Sequence, residues 1–388
     1  MTDPLGFIGG ELEALERDAL MRDIRALESP QDPEVVLDGE RLILLASNNY
    51  LGLATDPRVV VAAAEAALRW GAGSGSARLI SGGTKLHDEL EHRLAALKRT
   101  EAALLFSSGY LANLGTISAL VGRGDAIFSD ELNHASIIDG ARLSQASVHV
   151  YRHADPEHLA SLLREHRSGR RLVVTDTVFS MDGDVAPLPA IVEACEPEDA
   201  ILMVDEAHAT GVVGPGGRGA VASFGLEGRV PVVMGTLSKA LGSAGGYIAG
   251  SRELVAFLRN RARAFIFDTA PPPAAVGAAI ASIDVLEAEP ERPEHARALA
   301  ERLAKGLIDA GFDVREPAAA IVPVVVGDST DALALASALR SRGVLVPAIR
   351  PPSVPRGAAR LRATVMATHT DEQIDAAIDA FARARGNA

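Results

Sequence analysis

Cysteine is almost missing from this chain: of 388 residues only Cys195 carries a thiol. No intrachain disulfide can form, and a reducing compartment, the cytoplasm, fits best. Basic charge is also short. Lysine and arginine number 38 against 51 acidic residues, the formal net charge is −13, and no basic block occurs. That argues against nucleic acid and anionic membrane as partners. No apolar run approaches the ~20 residues that a membrane span requires. The N-terminal stretch carries Glu11, Glu13, Glu16 and Asp18 where a signal peptide has a basic segment and an apolar core. The ten histidines show no metal-ligand spacing, so no metal site is expected. His87, His92, His149, His153, His158, His166 and His295 read as solvated helix or loop residues. Internal repeats and low-complexity segments are absent.

What is present is the composition of an ordinary globular enzyme, 48% hydrophobic and 23% charged. The length suits one large domain with a smaller one. Residues 11–27 read as a polar helix stopped by Pro30 and Pro33. A β-hairpin over 35–45 follows, turning at Asp38-Gly39. From about residue 57 strand and helix patterns alternate. The expected strands are Ala102–Phe106, Ala126–Ser129, Ser147–Tyr151, Leu172–Thr177, Ala200–Val204, Val230–Gly235 and Gly246–Ala249. Short apolar strands separated by helices indicate an α/β fold with a mostly parallel seven-stranded sheet, covered on both faces. After Pro271-Pro272-Pro273 a helical pattern runs through 274–310. Strands over 320–326, 344–347 and 360–366, with helices over 331–342 and 371–384, then form a small α+β domain. The expected boundaries are 1–45 for the N-terminal helix and hairpin, 46–280 for the large domain and 281–388 for the small one.

Sheets of this kind bind ligands beyond the carboxyl ends of their strands. Ser108-Gly109-Tyr110, Asn133-His134, Ser180, Asp205 to His208 and Thr236 to Lys239 all follow expected strands. Lys239 stands out. It follows an apolar, β-branched run and precedes a series of glycines and alanines, where a lysine has no packing reason to be. Small neighbours let something flat lie against the backbone, and the amine there can form a Schiff base with an aldehyde cofactor. Ile201-Leu202-Met203-Val204 likewise runs into Asp205-Glu206-Ala207-His208. The two features read as a pyridoxal-phosphate site, with Asp205 on the pyridine nitrogen and Lys239 on the aldehyde carbon. A carboxylate there keeps the nitrogen protonated and makes the ring an electron sink. The same four residues spell a nucleotide-hydrolase box, but that reading needs a GxxxxGK[ST] loop, which the chain lacks.

The remaining features have two readings each. His208 either bonds the cofactor's ring oxygen, or orients Asp205, or is a surface histidine. His134 either stacks on a cofactor ring or is structural. Ser107 to Tyr110 opens a helix whose free N–H groups suit phosphate, although Ser-Gly caps are common. Trp70 to Ser76 is too irregular for a dinucleotide fingerprint and is either a ligand loop or a connector. Arg350, Arg360 and Arg362 beside a proline turn either grip a carboxylate or lie on the surface.

Taken together these segments resemble the α-oxoamine synthases, pyridoxal-phosphate enzymes of fold type I. The resemblance runs from Ser47-Asn48-Asn49-Tyr50-Leu51-Gly52-Leu53 to Arg362 and His369. Between them, in family order, come Gly73 to Ser76, His134-Ala135-Ser136, Val178 to Asp184, Asp205 to Gly211 and Thr236-Leu237-Ser238-Lys239. The resemblance implies that Lys239 forms the Schiff base, His134 stacks on the ring, Asp205 pairs with its nitrogen, and Ser180 and His208 contact its oxygen. Gly109, Tyr110 and Thr236 would hold the phosphate. Thr269 matches a threonine that reaches the neighbouring subunit's phosphate, which implies a homodimer with its active site at the subunit interface. Asn48 and Arg362, beside His134, would hold the amino-acid substrate, and Arg22 and Ser353 match acyl-substrate positions. The segment from Ile349 to Arg362 is most like the branch that joins L-alanine to pimeloyl-CoA, or another pimeloyl thioester, giving 8-amino-7-oxononanoate, CoA and CO2 for biotin. A branch using glycine or serine is the first alternative. The second is a catalytically silent interaction module, against which Lys239 and Asp205 speak. Two departures stand out: Asp268 occupies a position where relatives often carry Ser or Thr, and Arg25 lies close enough to Arg22 to compete with it.

Overall fold

The structure, a computed structural model, describes residues 4–167 and 169–385. The first three residues of the expected N-terminal segment and the last three of the expected small domain lie outside them. In chain order the strands are β1 (Glu34–Leu37), β2 (Glu40–Leu44), β3 (Ala102–Phe106), β4 (Ala126–Asp130), β5 (Ser147–Tyr151), β6 (Arg171–Asp176), β7 (Ile201–Asp205), β8 (Val232–Thr236), β9 (Gly246–Gly250), β10 (Asp313–Val314), β11 (Ile321–Gly327), β12 (Val344–Leu345), β13 (Ala348–Ile349) and β14 (Ala359–Thr364).

The larger compact unit is Asn48–Arg297 with Ala318–Ala320. It holds one seven-stranded sheet in the order β3-β9-β8-β7-β6-β4-β5. Neighbours from β8 to β5 pair in parallel, while β9 runs antiparallel to both β3 and β8. All seven expected strands are present, and the sheet is mostly parallel as expected. Covered on both faces, the central strands read as unbroken apolar runs rather than alternating ones. Every residue of β4 and β8 is buried. Leu172, Val174, Met203 and Ile248 pack with Phe106, Ile117 and Phe265 in one core, each full burial contributing about 1.5–3 kcal/mol. The antiparallel strand opens on a glycine for a steric reason. A Cβ on Gly246 would sit 2.5 Å from Gly109 Cα, so only glycine lets the turn after β3 lie against β9.

The second unit comprises the described parts of Met1–Ser47, Ala298–Pro317 and Ile321–Ala388. The hairpin β1–β2 turns at Asp38-Gly39, both with positive φ, which suits a two-residue hairpin turn. In this unit β2 also pairs in parallel with β12, so the N-terminal hairpin and a C-terminal strand share a sheet. The expected strand over 344–347 ends at Leu345, and a separate strand, β13, begins after Pro347. β12 joins β2 and β13 joins β14, because Pro347 between them has no N–H to continue a ladder.

Two helix expectations fail. The helix expected over 11–27 is Phe7–Arg17. Ala19 takes a positive φ and the Leu20 N–H bonds Leu15 O at 2.8 Å, a left-handed closure that ends the helix well before Leu27. Nor is it polar throughout, since Phe7, Ile8, Leu12 and Leu15 are exposed. The helical pattern over 274–310 is two helices, Pro273–Ala288 and Arg292–Asp309. Pro290 separates them, because its ring obstructs the helical ladder.

Candidate active site

The centre of the larger unit is built where β6 and β7 end side by side. Asp176 and Asp205 are register partners, and both are buried. Asp205 accepts the Ala207 N–H on Oδ1 at 2.8 Å and Asn113 Nδ2 on Oδ2 at 2.7 Å. Asp176 Oδ2 accepts the backbone N–H of His134 at 2.8 Å. Burial, and then the charge of Asp205, push the Asp176 carboxyl well above the usual carboxylate range. Two carboxylates this close do not both ionise cheaply.

Lys239 lies in a tight loop after β8, held by bonds from Gly242 N–H to Lys239 O and from Ser243 N–H to Leu237 O, each 2.9 Å. Its Nζ is 2.9 Å from His208 Nε2. His208 Nδ1 in turn is 2.7 Å from the hydroxyl of Tyr50, which donates to Asn48 Oδ1 at 2.9 Å. Asn48 is thus linked to the Lys239 amine through two buried side chains.

His134 caps the helix Ala135–Ser144 with its own ring: Nδ1 accepts the Ser136 N–H at 3.2 Å and lies 2.8 Å from Ser136 Oγ. Burial pulls its pKa below the ordinary histidine value; the charge on Asp205 opposes this and the charge on Lys239 reinforces it. The Tyr110 ring stands edge-on to it at 6.3 Å.

Ser108 caps the helix Gly109–Leu120 by accepting the Leu111 N–H at 3.1 Å. The N–H groups of Gly109 and Tyr110 therefore lack an intrahelical acceptor, the usual state of a helix start. A Cβ on Gly109 would lie 2.9 Å from Met234 Cε and 3.3 Å from Thr236. Glycine brings this helix start against Thr236, which itself donates from Oγ1 to Gly245 O at 2.9 Å. Asp268 accepts from the Ser107 hydroxyl and from the Thr269 N–H, the latter at 2.9 Å, and so ties Thr269 to the same turn. The segment from Gly73 to Ser76 is not a free loop. Ser74 Oγ donates to Pro271 O at 2.7 Å, and Ala77 bridges to Thr269.

Ser180 sits in a closed loop. Val178 bridges to Val185, and the Phe179 N–H bonds Asp184 O at 3.0 Å. His153 clamps this loop. Its Nε2 is 2.7 Å from Asp184 Oδ2, its Nδ1 is 3.0 Å from Asp130 Oδ1, and its ring stands edge-on to Phe179 at 4.4 Å. Burial works against a proton on His153, but the bonds to both carboxylates outweigh it and raise its pKa to about 10. The reading of His153 as solvated is therefore corrected. His87 is corrected too: it is buried, shares the Thr84 cap, and places Nε2 2.9 Å from Pro271 O.

Within the other unit, Arg22 and Ser353 meet on one turn. Arg22 Nη2 is 3.5 Å from Pro351 O, and the Ser353 N–H bonds Arg350 O at 3.1 Å. Arg350 binds backbone carbonyls of Ala19 and Met21, so it fastens the segment after the first helix. That engagement takes it out of the trio expected to grip a carboxylate. Arg362 is buried on β14 opposite Pro323.

Sequence reasoning gave no role to Asn113, Ser136, Asp176 or Tyr50. A signal existed for the first: Asn113 stands four residues after Gly109, on the same helix face. Asp176 closes a strand one position before the residue expected to end it. Ser136 and Tyr50 carry no local signal beyond their motifs.

The family model for aminotransferase class I and II matches residues 40–381, and the chain belongs to this family. The relatives are more specific. A protein described as 8-amino-7-oxononanoate synthase, from Anaeromyxobacter sp. (strain K), is 54% identical over 97% of this chain and 95% of its own length. A structure of serine palmitoyltransferase from S. paucimobilis with bound PLP and myriocin has a TM-score of 0.95 at 35% identity, covering 100% of this chain and 99% of that one. A structure of 8-amino-7-oxononanoate synthase from Francisella tularensis has a TM-score of 0.77 at 27% identity, covering 89% and 98%. These likenesses bear out the resemblance to α-oxoamine synthases and the expected type I fold. Pyridoxal phosphate is the cofactor that goes with them, and the donor set fits it. A lysine amine, a buried carboxylate that accepts two hydrogen bonds, and a glycine-cradled helix start all lie at the carboxyl ends of one sheet.

Proposed function

We propose that the protein joins L-alanine to pimeloyl-CoA, or to another pimeloyl thioester, giving 8-amino-7-oxononanoate, the free thiol and CO2 in biotin biosynthesis. The observation that carries this reading is the 54% identity, over 97% of the chain, to a relative described as 8-amino-7-oxononanoate synthase. The site geometry supports the chemistry.

Lys239 would hold the cofactor's aldehyde carbon and Asp205 its pyridine nitrogen. His134 would cover the ring face, with Ser180 and His208 at the ring oxygen. The N–H groups of Gly109 and Tyr110, with Thr236, would hold the phosphate. When bound, pyridoxal phosphate supplies an electron sink that makes the Cα–H of alanine acidic. Lys239 Nζ is the base that takes this proton, and His208 Nε2, 2.9 Å away, orients the amine. Asp205 is held in place by the Ala207 N–H and the Asn113 amide, which both donate to it. Asn48 and Arg362 would grip the alanine carboxylate, and Arg22 and Ser353 the acyl substrate. In net terms a bond forms between alanine Cα and the thioester carbonyl, the thiolate leaves, the carboxylate departs as CO2, and a proton returns to carbon. A working homodimer, in which Thr269 reaches the partner's phosphate, completes the reading. We place the protein in the cytoplasm, since its single thiol has no need of an oxidising compartment.

A second reading, condensation of serine with a long-chain acyl-CoA, draws on the 0.95 TM-score to serine palmitoyltransferase. One experiment separates the two. Thiol release by the purified protein is measured with alanine, glycine and serine, each paired with pimeloyl-CoA and palmitoyl-CoA. Alanine with pimeloyl-CoA is expected to give the highest kcat/KM. A preference for serine with palmitoyl-CoA would overturn the proposal.

A further inference from the structure

We infer that Asn113, acting through Ser136, is a positioning residue that holds His134 as a neutral ring with its hydrogen on Nε2 while it anchors Asp205. The argument is a count of hydrogens. The Asn113 amide has two, and both are committed: one to Asp205 Oδ2 at 2.7 Å, the other to Ser136 Oγ at 2.9 Å. A charged carboxylate can only accept, so the amide nitrogen must face it. Ser136 Oγ is then an acceptor toward Asn113, and its one hydrogen is left for His134 Nδ1, 2.8 Å away. The Ser136 backbone N–H reaches the same nitrogen at 3.2 Å. Two donors directed at Nδ1 exclude a proton there, and a neutral imidazole must then carry its hydrogen on Nε2.

The arrangement has a cost that marks it as more than packing. Asn113 Oδ1 is buried without a partner, and an unsatisfied buried acceptor is destabilising. The two donated bonds are what offset it. The charged and titratable groups around His134 act on the same equilibrium from every side. Asp205 faces it from the end of β7 and Asp176 from the end of β6, where it takes the His134 N–H. Lys239 faces it from the loop after β8, and the Tyr110 ring from the helix Gly109–Leu120. With Nδ1 blocked, His134 offers its neighbour a fixed hydrogen-bond donor rather than a titrating acid. The inference leans on the proposed function only for the identity of that neighbour; the hydrogen count is independent of it.

The test is ring-nitrogen NMR of the full-length protein labelled with 15N-histidine, with and without pyridoxal phosphate. His134→Gln assigns the signals. The expected spectrum shows His134 protonated on Nε2 only, with no titration from about pH 5.5 to 8, where an ordinary histidine titrates. In Asn113→Leu the Ser136 hydroxyl is free to turn and accept from a protonated Nδ1, so the ring should titrate inside that window. Ser136→Ala removes the hydroxyl donor with little change in volume and should do the same, which keeps the test decisive if Asn113→Leu does not fold. The pH profile of kcat/KM in either variant should gain an acidic limb that the unaltered protein lacks. An Nδ1-protonated ring in the unaltered protein would overturn the inference. So would variants whose His134 titrates as it does in the unaltered protein.

Discussion

Lys98 and Glu206 form an ion pair 2.5 Å long and closed to solvent, one residue past Asp205. Lys98 Nζ also donates to Thr210 Oγ1 at 2.8 Å and to Arg218 O at 2.7 Å, while Glu206 Oε1 accepts the Val221 N–H at 2.8 Å. Burial opposes the charge on Lys98, but Glu206 outweighs it and the pKa of the amine is raised. The second acid of Asp205-Glu206-Ala207-His208 is thus structural, and it fixes the turn that delivers His208. Removing one partner of a buried pair leaves an unpaired charge, at a cost of about 3–5 kcal/mol. Lys98→Met should lose that much in urea unfolding. Lys98→Met combined with Glu206→Gln should lose less than Lys98→Met alone. If the two substitutions instead cost the sum of their separate effects, the pair is not coupled.

His153 makes stability depend on pH in a defined direction. Its folded pKa of about 10 lies above the unfolded value of 6.5. The clamp on Asp130 and Asp184 therefore contributes fully below about pH 6.5 and is lost as pH rises through 10. The contribution is roughly 2–3 kcal/mol once solvent screening is allowed for. His153→Gln should be less stable than the parent at pH 7, and the gap should close by pH 10. Denaturant midpoints across that range check the slope. Because the clamp holds the loop of Ser180, the variant should also bind pyridoxal phosphate more weakly at pH 7, as read by cofactor fluorescence.

The purified protein should absorb in the visible, and borohydride followed by peptide mass mapping should place the cofactor on Lys239. Lys239→Ala should still bind pyridoxal phosphate yet lose turnover by several orders of magnitude, since nucleophile and base vanish together. Asp205→Asn should lower kcat by roughly 100-fold or more, the scale for a preorganised electrostatic group, with a much smaller change in cofactor affinity. Equal losses in both would reduce Asp205 to a binding residue.

Substrate choice rests on arginines. Arg362→Ala should weaken alanine binding by roughly 1.5–3 kcal/mol, the worth of a hydrogen bond to a charged group. Arg22→Ala should raise KM for pimeloyl-CoA but not for an uncharged acyl-CoA of similar length. Arg25→Ala, made alongside, should leave both unchanged. A pimeloyl-specific defect in Arg25→Ala instead would move the acyl contact to that residue.

The chain's local pattern was enough to reveal the seven strands and to single out polar groups just past their ends. Unbroken apolar runs announced strands buried on both faces, and polar residues just past them announced the ligand side. Lys239, Asp205, His208 and His134 were readable because each breaks its local pattern. Local signals could not resolve the helix over 11–27, which closed early through a left-handed Ala19, or the strand over 344–347, which stopped at Leu345 before Pro347. The order β3-β9-β8-β7-β6-β4-β5 was beyond them as well, because it depends on which distant segments pair. The same holds for Asn113 against Asp205, 92 residues apart, and His153 against Asp184, 31 apart. Sequence alone determined which groups can do chemistry, since that follows from side-chain type and strand position. Which nitrogen of His134 holds a hydrogen, which side chain anchors Asp205, and which histidine is clamped were decided only by tertiary structure. Those states are set by burial and by partners within hydrogen-bond reach, and chain folding alone brings them there.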